Sequence, residues 1–179
     1  MWILATSVFG ADTEQPVDFV KGELSVAKEG ELLVLNGQLE FSFSSEALEA
    51  LENGVPLVVE LRLRVRKRNA WFWEASLVDR TLPVQIRYKP LSRSYQVTDM
   101  TRGEKRSFAT RGAALTALGE LSRIPLLHVG ELPLGRAAYE VQLRPELSIE
   151  ALPLPLRPLA YISPEWNLRG KWLIHPLSP

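Results

Sequence analysis

The chain has 179 residues, no cysteine, 46% hydrophobic and 23% charged residues, and a formal net charge of zero. That balance suits one folded domain with a substantial core rather than a disordered chain. The lack of cysteine excludes disulfides, thiol catalysis and cysteine-ligated zinc or iron–sulfur sites, and the neutral total argues against a nucleic-acid binder.

Residues 1–11 are apolar and precede the polar run Asp12-Thr13-Glu14-Gln15. They read as the remnant of a secretory signal cleaved after Ala11, with an ordinary apolar N-terminal strand as the alternative, since no basic stretch precedes them. Residues 12–179 then form a single domain. No apolar run approaches the ~20 residues of a transmembrane helix.

Val17–Ala27 reads as a first strand, with Phe19, Leu24 and Val26 as candidate core residues and a turn at Lys28-Glu29-Gly30. Leu33, Leu35, Gly37, Leu39, Phe41 and Phe43 alternate with smaller or polar residues, so the two segments predict an antiparallel hairpin. Ser44 or Ser45 suits the N-cap of a short helix over Glu46–Asn53, with Gly54 at its end and Pro56 blocking continuation.

Val55–Lys89 is the most informative stretch. Leu57, Val59, Leu61, Leu63 and Val65 alternate with Glu60, Arg62, Arg64 and Arg66, which predicts a strand over Pro56–Arg68 with one oily and one basic face. Asn69-Ala70 makes a corner, Ala75–Asp79 continues as strand, and Leu82–Lys89 pairs with Ser94–Asp99 through a turn at Pro90–Arg93. Thr101–Glu104 is another turn before a strand at Lys105–Phe108.

Thr110 can cap a second helix over Arg111–Leu121, with Ala114, Leu115, Leu118 and Leu121 on one face. Ile124–Val129 is a short apolar run. Tyr139–Ala151 alternates as one very long strand, in which Pro145 predicts an edge position or a bend. Residues 152–158, L-P-L-P-L-R-P, read as an extended proline-rich arm laid over the sheets, or as a ligand for an aromatic groove. A last strand over Glu165–Ile174 places Trp166, Leu168, Gly170, Trp172 and Ile174 on one face. The whole predicts a mainly β fold: an antiparallel β-sandwich of seven to nine strands with two short helices.

Motifs for catalysis are absent. There is no G-x-x-x-x-G-K or G-x-G-x-x-G phosphate loop, no G-x-S-x-G elbow and no H-E-x-x-H. His128 reads as a partly buried strand residue, His175 as a tail residue without a partner, and Asp79 and Asp99 as turn formers. No catalytic residue, metal ligand or cofactor is assigned, and the chain is not expected to be an enzyme.

What remains is the basic face. Arg62, Arg64, Arg66, Arg87 and Lys89 could line one sheet surface, with Lys67 and Arg68 at the corner. Residues 1–59 hold two lysines against ten acids, a net −8, and residues 60–106 hold twelve basic residues against five acids, a net +7. Either an anionic partner is met there, or acidic strands carrying Glu23, Glu31 and Glu40 neutralise it. Trp73, Trp166 and Trp172 read as core fillers.

The runs E-L-R-L-R-V-R-K-R-N-A-W-F-W, R-Y-K-P-L-S-R-S-Y-Q-V-T-D-M-T-R-G-E-K-R-S-F-A-T and A-A-L-T-A-L-G-E-L, with the closing L-P-L-P-L-R-P and S-P-E-W-N-L-R-G-K-W, resemble an uncharacterised family of bacterial envelope proteins. The resemblance covers about Val17 to Pro176. It implies a periplasmic domain of unknown function, often encoded beside a membrane sensor histidine kinase of the nitrogen-regulation type. The expectation is a non-enzymatic protein-interaction module acting on that kinase or another envelope protein. The alternative is a binder of an anionic lipid or glycan through Arg62, Arg64, Arg66, Arg68, Arg87 and Lys89; a third and lesser reading, a hydrolase, would need Glu and Asp carboxylates converging in a pocket.

Overall fold

The computed structural model describes residues 18–71, 74–133 and 138–177. Residues 1–11 and Trp73, both given readings above, lie outside them. The described residues form nine strands: β1 (Val20–Glu29), β2 (Leu32–Phe41), β3 (Leu57–Lys67), β4 (Val78–Lys89), β5 (Ser94–Asp99), β6 (Lys105–Phe108), β7 (Glu120–His128), β8 (Tyr139–Leu147) and β9 (Leu173–Leu177). Three short helices join them: α1 (Ser45–Glu52), α2 (Arg111–Leu118) and α3 (Arg157–Ile162). The strands make a three-stranded sheet, β1-β2-β7, and a six-stranded sheet, β6-β5-β4-β3-β8-β9, with every pairing antiparallel. The mainly β antiparallel architecture predicted from period-two alternation is the one found, with a third helix added.

The β1–β2 hairpin closes on Gly30, whose φ of +60° a side chain would disfavour. α1 starts where Ser44 Oγ accepts from the Ala47 N–H at 3.2 Å, and it buries Ala47 and Leu51. β3 is the centre of the large sheet, and its Leu57, Val59, Leu61, Leu63 and Val65 are all essentially inaccessible. They share one cluster of buried side chains with Leu35 and Leu39 of the small sheet and Ala114 and Leu118 of α2, so both sheets stand on a common core.

α2 ends at Leu118, short of the predicted Leu121, which belongs instead to β7. Gly119 explains the stop. A Cβ there would lie 1.9 Å from the Leu39 carbonyl oxygen, and the Leu39 N–H donates to the Gly119 oxygen at 2.9 Å. The chain must leave the helix to let β2 approach this closely. β7 is then longer than the apolar run Ile124–Val129, because two irregularities in its pairing with β2 absorb the mismatch. Pro125 is tolerated there because β7 is an edge strand.

Several expected boundaries are corrected. Ala75–Asp79 and Leu82–Lys89 are not two strands separated by a gap: Val78–Lys89 is one strand. Asp79 therefore lies within a strand, not a turn, whereas Asp99 does form a turn, accepting from the N–H groups of Thr101 and Arg102 at 2.8 and 3.0 Å. β8 ends at Leu147; β9 flanks it only over Tyr139–Leu143, so Pro145 lies past the end of that pairing, where the strand is bordered by β3 and an isolated bridge from Glu146 to Arg169. Pro145 fits because its carbonyl accepts from Gly170 at 2.8 Å, so its missing donor faces that passing segment while the β3 side stays paired.

Residues 152–158 are not an extended arm. Leu154–Leu156 form a 3-10 turn that runs into α3, because prolines in a first helical turn remove no internal hydrogen bond. Leu152, which precedes it, is buried, but Leu154, Leu159 and Ile162 are exposed. The last strand is β9, later and shorter than Glu165–Ile174; Pro164–Trp166 are instead a 3-10 turn. His128 is exposed rather than partly buried, with its backbone N–H donating to Glu131 Oε2 at 2.6 Å. His175 lies in β9 opposite Val141 rather than in a tail.

Candidate functional site

The outer side of the large sheet is built by parity. The odd residues of β3 fill the core, so Glu60, Arg62, Arg64 and Arg66 face outward. Register then places Thr81 and Asp79 of β4 on one side of them and Arg144, Gln142 and Glu140 of β8 on the other. Arg62 stands directly opposite Arg144, a like-charge cross-strand pair that is unfavourable unless something compensates.

Two features compensate. Asp79 Oδ2 accepts from Arg64 Nε at 3.0 Å, and its other oxygen lies 3.4 Å from Arg62 Nε. Trp172 covers the cations from the β9 side, with its ring centroid 4.7 Å from the Arg144 guanidinium carbon and 5.1 Å from that of Arg64. Each such cation–π contact contributes about 0.5–1 kcal/mol where exposed and more where desolvated. Trp172 is therefore a stacking platform, not the core filler expected; Trp166 is the core tryptophan, 6% exposed. Burial, and then the positive charge of Arg169, hold the Arg144 guanidinium below its usual pKa, and its Nε is buried without an acceptor among the described residues.

The six basic residues singled out from the sequence are not one patch. Arg62 and Arg64 belong to the cluster just described. Arg66 faces the same way, but its Nη2 donates to the carbonyls of Ala70 and Trp71 at 3.1 and 2.8 Å and staples the corner after β3. Arg68 stands at the strand end, 4.0 Å from Glu140. Arg87 and Lys89 are on the same face of β4 but opposite Gln96 and Ser94 of β5. Six residues of strand separate Arg87 from Thr81, the β4 neighbour of Arg62, or roughly 20 Å. The acids expected to neutralise the face are elsewhere: Glu23 and Glu40 lie in the small sheet, and Glu31 reaches Lys28 at 3.8 Å. The actual partners, Asp79 for Arg62 and Arg64 and Glu140 for Arg68, come from the same sheet as the arginines.

A second polar cluster ties the helices to the sheet. The Tyr95 hydroxyl donates to Glu52, with its two carboxylate oxygens at 2.7 and 2.8 Å, and Arg111 Nη1 donates to the same carboxylate at 3.2 Å. Burial and the neighbouring Glu52 push the Tyr95 phenol up to about 12. Because Glu52 is held by two donors at the junction of α1, α2 and β5, its role there is to fix those elements. Among the described residues no group of three or more His, Cys, Asp or Glu side chains converges as a metal site, and no helix is long and apolar enough to cross a membrane.

Arg144 and Trp172 were missed by sequence reasoning as members of a site. The alternation in β8 put Arg144 on the polar face, but only the register of three strands brings it to Arg62, Arg64 and Trp172. Residues 18–174 match the family model described as Domain of unknown function (DUF4390). No curated protein and no solved structure matches the chain.

Proposed function

We propose, for a chain that belongs to the DUF4390 family of unknown function, a role as a non-enzymatic interaction module that docks an acidic protein segment on Arg62, Arg64 and Arg144. The observation that carries this reading is the cation cluster beside Trp172: the Arg64 and Arg144 guanidiniums lie over one ring on an outward face, Arg62 stands opposite Arg144, and Asp79 is the carboxylate shared by Arg62 and Arg64. Arginine pairs carboxylates in bidentate geometry, and an aromatic ring beside it supplies apolar contact, the combination that anchors protein interfaces. A partner carboxylate would also relieve the Arg62–Arg144 repulsion.

The proposed setting is the bacterial envelope, and the proposed partner is a membrane sensor kinase, both following from the resemblance read in the sequence. The experiment is co-purification from envelope extracts at low and high salt, with wild type, Arg62→Gln/Arg144→Gln and Arg87→Gln/Lys89→Gln. The reading expects a salt-sensitive partner that the first pair loses and the second retains, because exposed charge pairs are screened within about 10 Å at 0.1 M salt. Equal capture by all three proteins would defeat it.

A further inference from the structure

The inner side of β4 carries a feature the basic face does not use. Val78, Leu82, Val84 and Ile86 point inward by parity, and so does Arg80, which stands opposite Leu63 in the register. An arginine among core-facing positions needs acceptors, because a buried N–H left unpaired is destabilising. Arg80 Nε and Nη2 are both buried and find no acceptor among the described residues. Burial lowers its pKa, and the charged neighbour that adds to the effect is another cation, Arg102.

Arg80 and Arg102 both line a cleft of about 460 Å³ between the β4–β6 side of the large sheet and the α2–β7 side of the small one. That volume falls within the roughly 300–1,000 Å³ of small-molecule sites. Its wall is apolar, formed in part by Val84, Val97, Leu118 and Ile124. Of the three carboxylates that line it, Asp99 caps its own turn and lies 4.0 Å from Arg102, Glu120 pairs with Arg106 at 2.7 Å, and Glu104 is the third. The cleft thus presents an oily wall and a cationic end in which Arg80 keeps unused donors, while Arg102 Nη2 donates to the Arg123 carbonyl at 3.2 Å.

We propose that this cleft binds a single-chain amphipathic anion, an acyl chain ending in a carboxylate, with the head on Arg80 and Arg102 and the chain along Val84, Val97, Leu118 and Ile124. The guanidinium fork matches a carboxylate, and the wall supplies burial for methylenes. The site lies on the opposite side of β4 from the docking face, so either reading can fail without the other.

The test is titration of the isotope-labelled full chain with dodecanoate below its micelle concentration, read by amide NMR. Saturable shifts centred on Val84, Val97, Leu118 and Ile124 are expected. Octanoate, four methylenes shorter, should bind about a hundredfold more weakly, at roughly three- to fourfold per methylene. Arg80→Met should weaken dodecanoate at least tenfold while leaving the uncharged dodecanol unchanged; Arg102→Gln, at an exposed turn, gives the same direction should the first variant misfold. No saturable shift with dodecanoate, shifts confined to the Arg62–Arg144 face, or wild-type affinity in both variants would overturn the proposal.

Discussion

Replacing Arg80 by methionine should stabilise the unliganded protein, although it removes a charged residue from a paired strand. The sign follows from what Arg80 contacts. Its Nε and Nη2 are buried without acceptors among the described residues, and the charge acting on it is the like-signed Arg102. Each buried polar group left unsatisfied costs about 1–3 kcal/mol, and replacing a poorly compensated buried charge with an apolar side chain of similar length is often stabilising. Methionine keeps most of the aliphatic stem and adapts to irregular space. Allowing for imperfect refilling, the net gain is about 1–2 kcal/mol, or roughly 2–8 °C in Tm for a chain of this size. Thermal unfolding followed by circular dichroism measures it. Arg64→Met is the matched control. It removes the 3.0 Å bond to Asp79 and the Trp172 contact, and so should lose about 0.5–1 kcal/mol. If Arg80→Met lowers Tm as Arg64→Met does, Arg80 has acceptors in solution and the orphan-cation reasoning is wrong.

Three further outcomes are expected. Tyr95→Phe deletes the donor to Glu52 and should cost about 1.5–3 kcal/mol by urea unfolding, the range for hydrogen bonds to charged groups. In the wild type the phenol titrates at about 12 when folded against an ordinary value of 10.0, so its contribution is complete below pH 10 and is lost as pH rises toward 12; the phenylalanine variant should lack that part of the alkaline decline, which stability measured from pH 9 to 12 would show. Gly119→Ala places a Cβ 1.9 Å from the Leu39 oxygen and should destabilise by about 3 kcal/mol, the upper end for overpacking, seen as a lowered urea midpoint with the m-value unchanged. Arg66→Ala releases the carbonyls of Ala70 and Trp71, so limited proteolysis should cut near the corner after β3 faster than in wild type while Tm changes by less than about 1 kcal/mol equivalent.

Much of the architecture was legible because strand parity is a local property. The alternation Leu57, Val59, Leu61, Leu63, Val65 names the core face of β3 without any knowledge of its neighbours, and each of these residues is buried. The caps Ser44 and Thr110 were equally legible, since each satisfies N–H groups three residues away. Failures came where a distant segment decided the outcome. Gly119 ends α2 because β2 arrives there; the periodicity of the helix face continues to Leu121 and gives no sign of it. The 152–158 segment reads as extended from its prolines, but Leu152 is buried, Arg157 Nε donates to its carbonyl at 2.8 Å, and helical turns form where prolines occupy only the first positions. Arg80 was hidden for a related reason: with β4 read as two pieces, its inward parity could not be seen, although Val78-Asp79-Arg80-Thr81-Leu82 carries it plainly once the strand is continuous.

The sequence by itself determined the fold class, most of the hairpins, the buried face of β3 and the outward direction of Arg62, Arg64 and Arg66, because side chains on a strand alternate whatever the strand pairs with. Tertiary structure alone decided which charges meet. Strand order put Arg144 and Trp172 beside the β3 arginines, left Arg87 and Lys89 roughly 20 Å away, and kept the acidic β1–β2 hairpin in the other sheet. Charge interactions fall off with distance through space, not along the chain, so the +7 and −8 segments could not reveal their partners until the register between strands was known.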